Sequence, residues 1–323
     1  MRIPGIKTIR RFPKWVRAHI LGGALILGYH RIADVDGDDY KICVNPSHFT
    51  EHLEVLRKYT HPISLPELVG HLRQGTLPRK SVAITFDDGY VDNLHKAKPL
   101  LEQYQIPATI FISTNYLGGN FWWDELAWLI QSPQTLPDLL QLRIQGETFE
   151  WDSNASKREE LAQSLYLKLL PLDFSQQKEL INTIREWSSA QPEGLAGQRP
   201  LTIDELIQLA EGGLIDIGSH TLTHPVLTAL PVEKQREEIL MSRKRLEEIL
   251  NRPVIGFSYP NGVSTAKTRE VVKESGFQYA CSSAPDLIRN SRHLYQMPRF
   301  WSQDVNGDEF IKSLRPWMSM QAN

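Results

Sequence analysis

Two short segments, far apart in a chain of 323 residues, carry side chains that could do chemistry together. Thr85-Phe86-Asp87-Asp88-Gly89-Tyr90 places two adjacent carboxylates after the apolar run Val82-Ala83-Ile84. Ser219-His220-Thr221-Leu222-Thr223-His224-Pro225 places two imidazoles four residues apart after Leu214-Ile215-Asp216-Ile217. Two histidines and one carboxylate, with positions left open for water, make the ligand set of a catalytic divalent metal. A second carboxylate supplies a base. Adjacent side chains in extended backbone point apart, so one acid can ligate while the other faces bound water. Histidines at i and i+4 on a helical turn face the same way, a spacing that recurs in zinc sites. Neither segment is decisive alone, because Asp and Gly are favoured in turns. A lone histidine at a strand end is more often an ordinary polar residue. Their joint presence, each at the end of a buried run, points to metal-assisted hydrolysis.

The elements that must position these groups follow from the apolar pattern. Short β-rich runs alternate with amphipathic stretches, the signature of βα units around a mostly parallel sheet. The length fits two domains or one large α/β barrel. Strands are expected at 24–29, 82–86, 108–113, 214–218, 254–259, 279–283 and 294–299. A helix capped by Ser47 should run to about Tyr59, Thr202 to Glu205 has capping-box spacing, and 231–250 and 266–275 are periodic. Residues 118–200 break the rhythm, opening with Gly118-Gly119-Asn120 and Trp122-Trp123-Asp124, and read as a helical insertion between consecutive βα units. The expected organisation is a basic arm over 1–23, a catalytic domain over 24–310 and a tail over 311–323.

A net charge of −2 gives no electrostatic case for nucleic acid. The two cysteines, Cys43 and Cys281, match no metal or disulfide spacing. The leader carries Arg2, Lys7, Arg10, Arg11, Lys14 and Arg17 without an acid, and could touch an anionic membrane surface. The apolar stretch after it is short, contains Gly22 and Gly23, and lacks a small-residue cleavage site, so it reads as the approach to the first strand rather than as a signal peptide.

The two motifs, in this order and separation, resemble those of the polysaccharide deacetylase family, the NodB-type carbohydrate esterases, over roughly residues 24–300. The resemblance implies a distorted (β/α) barrel of the α/β class, here with the helical insertion, and a divalent metal, usually zinc. It implies removal of acetyl from an N-acetylated sugar polymer, with Asp87 as catalytic base and Asp88, His220 and His224 as metal ligands. Gly256-Phe257-Ser258-Tyr259-Pro260-Asn261-Gly262 matches the third motif with departures. Ser258 stands where the family's arginine holds the base, and Arg299, in Met297-Pro298-Arg299-Phe300, is the candidate to replace it. Asn261 aligns with the residue whose backbone N–H helps bind the oxyanion, and Tyr259 beside it is a candidate substrate contact. The late Leu-x-His motif that supplies the general acid is not evident. His293 lies in that part of the chain, and His30 ends the first strand in a Tyr-His that related deacetylases often carry. Trp123 is a candidate platform for a sugar ring.

The expected function is therefore a metal-dependent hydrolase removing N-acetyl groups from N-acetylglucosamine-type units of a polysaccharide, oligosaccharide or glycolipid. An O-acetyl glycan esterase and a weakened glycan-binding homologue are the alternatives. The partner is an acetylated carbohydrate, and the expected location is the cytoplasm or the cytoplasmic membrane face, with an extracytoplasmic site left open.

Overall fold

A computed structural model describes residues 23–35, 41–190, 195 and 197–319. The basic arm expected before residue 23 falls outside them. The strands are β1 (Leu25–Tyr29), β2 (Arg31–Ile32), β3 (Cys43–Val44), β4 (His61–Pro62), β5 (Ser81–Phe86), β6 (Ala108–Ile112), β7 (Leu139–Ile144), β8 (Glu147–Asp152), β9 (Ile215–Ser219), β10 (Gly256–Ser258), β11 (Tyr279–Cys281) and β12 (Phe300–Trp301). The helices used below are α1 (Pro46–Tyr59), α2 (Lys98–Tyr104), α3 (Trp122–Gln131), α4 (Arg158–Leu169), α5 (Phe174–Ser188), α6 (Ile203–Ala210), α7 (Val232–Leu250), α8 (Ala266–Glu274) and α9 (Gly307–Ser319).

The main sheet runs β11–β10–β9–β6–β5–β1–β12, every pair parallel, with β4 paired to the start of β5. β1 and β5 are buried at every position, as strands covered on both faces must be. The sheet curls because residues 294–299 reach back across it. Ala280 N donates to Leu294 O and Ser282 N to Met297 O, after which Phe300 and Trp301 pair with β1. The expected strand over 294–299 is thus a bridging segment whose regular pairing starts only at Phe300. This is the distorted (β/α) half-barrel expected of the chain.

Register decides where chemistry can occur. Phe86 lies opposite both Tyr29 and Ile110, Ile112 opposite Ser219, and Ser219 opposite Phe257. The carboxyl ends of β1, β5, β6, β9 and β10 therefore form one rim, where sites in α/β folds collect. Three expectations need correction. Helix α1 is capped by Asn45, whose side chain accepts from Ser47 N at 2.9 Å, because Pro46 suits the first helical position. The insertion is not purely helical: β7 and β8 form a hairpin whose inward residues Leu140, Leu142 and Ile144 join a separate core with Leu129, Leu165 and Ile184. Residues 311–319 continue α9, whose Phe310 and Leu314 are buried in the main core. Among the described residues no helix is long and apolar enough to cross a membrane.

Candidate metal and hydrolytic site

Asp88 Oδ1 lies 3.5 Å from His224 Nε2 and 3.6 Å from His220 Nε2, and one ligand atom from each of the three residues falls within 4.8 Å of the others. Ligand atoms about 2.1 Å from one ion at a near-tetrahedral angle stand about 3.4 Å apart, so the spacing fits. The donor set passes a second test. Asp88 Oδ1 is buried without a hydrogen-bond partner, a cost proteins rarely accept without a ligand to offset it.

Local backbone explains the convergence. Asp88 adopts φ 74° and Gly89 φ 89°, turning the chain sharply off β5. A Cβ on Gly89 would meet the terminal Cδ1 of Ile112 at 2.6 Å, and the positive φ favours glycine there. The two histidines are not on a helical turn, as their spacing predicts, but on a loop with φ 69° at Thr221 and 55° at His224. Glu238 of α7 secures that loop by accepting from Leu222 N, Thr223 N and Thr223 Oγ1 at 3.0, 2.9 and 2.7 Å. His220 Nδ1–H donates to Ser258 O at 2.8 Å, which leaves Nε2 as the lone-pair nitrogen facing Asp88.

Asp87 borders the same cavity, its Oδ2 lying 3.7 Å from His220 Nε2, but it is held by other partners. Arg299 Nη1 donates to its Oδ1 and Nη2 to its Oδ2, both at 2.7 Å, and Ser258 Oγ donates to Oδ2 at 3.1 Å. Burial alone would raise the Asp87 carboxyl, but the Arg299 charge and its hydrogen bonds hold it well below the usual range. Burial, reinforced by the Asp87 and Asp124 charges, pushes Asp88 well above that range, with Arg299 only partly opposing. Desolvation lowers His220 and His224, keeping both imidazoles in the neutral form that ligates.

These groups line a cavity of about 330 Å3 together with His30, Trp123, Asn261 and Trp301. The His30 ring stacks on Trp301 at 4.4 Å, and the Trp123 ring lies 4.9 Å from His224. Asn261 holds φ 57°, the tight turn that presents residues 261 and 262 to the cavity. Two sequence-level candidates lie elsewhere. His293 is exposed on a short turn, Ser291–His293, and does not line the cavity. Tyr259 is fully buried and donates to Tyr295 O at 2.9 Å, because it packs inward against Phe257.

Sequence reasoning missed Trp301, although it stands two residues from Arg299, the spacing that shares a face in extended chain. It also missed Tyr90, which ends the first motif. Tyr90 OH donates to Asp124 Oδ2 at 2.9 Å and accepts from Trp123 Nε1 at 3.0 Å, tying the insertion to the loop that carries Asp88. Tyr166 and Leu170, at the end of α4, complete the far wall of the cavity and carry no local signal.

Comparison with known proteins bears on the family and the fold. The polysaccharide deacetylase family model matches residues 74–161 and 181–280. YxkH of Bacillus subtilis, named as a polysaccharide deacetylase, is 21% identical over 88% of this chain and 73% of its own length. A poly-beta-1,6-N-acetyl-D-glucosamine N-deacetylase of Staphylococcus epidermidis is 31% identical over a shorter stretch, 30% of this chain and 38% of that protein. Among solved structures, IcaB from Ammonifex degensii aligns with a TM-score of 0.61 at 18% identity, covering 92% of this chain and 97% of that one. The Streptococcus pyogenes deacetylase PplD in complex with acetate gives 0.60 at 17% identity, over 90% and 98%. Structural likeness at such identities speaks for the fold alone, but a family match across more than half of the residues reaches further, and by it this chain belongs to the polysaccharide deacetylases.

Proposed function

We propose that this protein hydrolyses the acetamide of N-acetylglucosamine-type units in a glycan, using a divalent cation held by Asp88, His220 and His224. The ligand set of two neutral imidazoles and one carboxylate suits zinc. The observation that carries the reading is the placement of three candidate ligands, a separately held carboxylate and a further imidazole around one cavity. The relatives named for poly-beta-1,6-N-acetyl-D-glucosamine support an N-acetylated amino sugar as substrate.

When bound, the cation supplies Lewis-acid polarisation of the acetyl carbonyl and acidifies a water. Asp87, ionised and gripped through both oxygens, takes the proton of the attacking water. Arg299 and Ser258 keep that carboxylate aimed and prevent it from competing as a ligand. The backbone N–H of Asn261 donates to the oxyanion, a contribution commonly worth about 3 kcal/mol. His30, braced by Trp301, delivers a proton to the leaving nitrogen, which departs as the free amine of the sugar. Trp123, stacked on Phe121 and packed against His224, contributes to the wall of the cavity that would hold the sugar.

The test is acetate and amine release from N-acetylglucosamine oligomers by the zinc-loaded protein and by two variants. Asp87→Asn should keep its zinc and lose about 10²- to 10⁴-fold in turnover, and His30→Gln should do the same. Undiminished turnover by Asp87→Asn would refute the role of that carboxylate. Acetate released only from O-acetylated glycans would move the reading to an esterase.

A further inference from the structure

A second cavity, about 260 Å3, lies between the turn Thr114–Tyr116, the start of α3 and helix α5. Trp122 lines both this cavity and the one that holds Asp88 and the two histidines. Its indole stacks on Tyr166 at 5.2 Å and meets Trp123 edge-on at 5.7 Å, so one aromatic cluster forms the partition.

The chemistry of the second cavity is specific. Its walls carry the amides of Asn120, Gln177 and Asn182, groups that donate and accept at once and so complement ring hydroxyls and acetamides. Gln177 and Glu125 are buried polar side chains, 5% and 6% exposed, kept in place by Leu169 O and by Arg185. Phe174, set edge-on to Tyr116 at 5.5 Å, adds an apolar surface. Small pockets that combine aromatic walls with a few fixed polar groups are those that orient a ligand. The charged lining is one carboxylate, Glu125, against two cations, Arg185 and Lys178. Arg185 is engaged with Glu125, its Nε donating to Oε1 at 2.9 Å, and with Asn182, which leaves Lys178 as the excess charge. That balance repels an ammonium and tolerates an uncharged sugar.

We propose that this second cavity is a binding subsite for an uncharged, N-acetylated hexosamine unit of the same glycan chain whose reacting unit occupies the metal-site cavity. The inference rests on the glycan reading above and deepens it: the enzyme acts on oligomers, and it favours units with a still-acetylated unit farther along the chain. Deacetylation of that unit would place an ammonium beside Lys178 and weaken the grip.

The experiment compares binding of β-linked N-acetylglucosamine dimers and pentamers, and of the fully deacetylated pentamer, to the full-length wild type and to Lys178→Glu and Asn120→Ala variants. Calorimetry reads affinity, and acetate is measured in the same samples. The wild type should bind the acetylated pentamer about tenfold more tightly than the dimer. Asn120→Ala should lose most of that gain while leaving dimer affinity and acetate release from the dimer unchanged. Lys178→Glu should reverse the preference, so that the deacetylated pentamer now gains from length. A length gain in the wild type that both variants retain overturns the subsite, as does the absence of any gain. Acetate release without a length effect would end this proposal and leave the proposed activity standing. A variant-sensitive length effect without acetate release would do the opposite.

Discussion

Arg299 and Asp87, 212 residues apart, meet through two parallel hydrogen bonds of 2.7 Å, both side chains buried. The guanidinium spends its other donors on Ser282 O, Ser258 Oγ and Thr85 Oγ1, and its plane lies over the Trp301 ring at 4.6 Å. A buried charge pair is stable only when its remaining hydrogen-bonding capacity is filled, and here it is. The closing of the barrel makes the meeting possible. The segment that pairs with β11 before joining β1 carries Arg299 across the rim to the end of β5.

Arg299→Lys should cost activity and move the acidic limb of the pH–rate profile. Lysine cannot reproduce the planar two-point contact. Burial tends to raise the Asp87 carboxyl and Arg299 does most to oppose it, so a weaker cation lets the folded-state pKa climb. Asp87 works ionised, so with burial less opposed its protonation moves up through the usual carboxylate range and the acidic limb shifts upward with it. Initial rates of acetate release between pH 4 and 8 read the shift. A limb that stays in place would remove Arg299 from control of the base.

Zinc should stabilise the fold through the same three residues that would hold it. A ligand bound only by the native state, at about a hundredfold excess over its Kd, adds about 2.7 kcal/mol. Added zinc should therefore raise the Tm of the chelator-treated wild type by about 5 °C. His220→Ala and His224→Ala should show almost none of that rise, while Asp87→Asn keeps it. A rise that survives loss of either histidine would place the ion elsewhere.

His52 should make stability depend on pH from outside the site. It is fully buried, stacked on Phe310 of α9 at 3.8 Å, with Nε2 near Val305 O at 2.8 Å. Burial lowers its pKa from 6.5 to about 4 despite partial opposition from the Val305 carbonyl. The unfolded chain thus takes up a proton below about pH 6.5 that the folded chain refuses until about pH 4. Stability is complete above that window and falls as the pH drops through it, by about 3 kcal/mol in all. Urea unfolding at pH 7 and pH 4.5 should show a smaller difference for His52→Gln than for the wild type. Equal differences would assign the acid sensitivity to other groups.

Much of the site was legible because its parts are local. Asp87, Asp88, His220 and His224 each follow an apolar strand, and strand ends in parallel sheets share a rim, so pattern alone could bring them together. Arg299 was reachable as a cation at the end of a late strand. Which imidazole joins the cavity was not reachable, because that depends on whether the segment around 293 runs into the rim or turns out at the surface. His30 leaves β1 at the rim, whereas His293 ends a surface turn. The hairpin β7–β8 was missed although Leu140, Leu142 and Ile144 alternate with polar residues and Gln145-Gly146 follows, a period-2 signal with its turn. Tyr259 shows the opposite failure, a polar residue inside a functional motif that serves the core.

The transfer of the arginine from β10 to the closing segment before Phe300 can be tested directly. The resemblance to the family expects that residue at position 258, where this chain has a fully buried serine whose Oγ lies 2.9 Å from Arg299 Nη2. Ser258→Arg alone would force a second guanidinium into space already filled. Overpacking costs about 1–3 kcal/mol, and an uncompensated buried cation costs about 3–5 kcal/mol more. Arg299→Ser alone leaves Asp87 buried without its counter-charge, a loss of the same size. Together the two substitutions restore one cation and nearly the original volume, so the double variant should be more stable and more active than either single one. The coupling, read from urea midpoints of the four proteins, should favour the double variant by about 1–3 kcal/mol. Acetate release should recover in parallel, because what Asp87 requires is a planar cation against both oxygens, whichever segment supplies it. Strict additivity of the two losses would mean that β10 cannot aim an arginine at Asp87 in this barrel, and that the contact depends on the path of the closing segment itself.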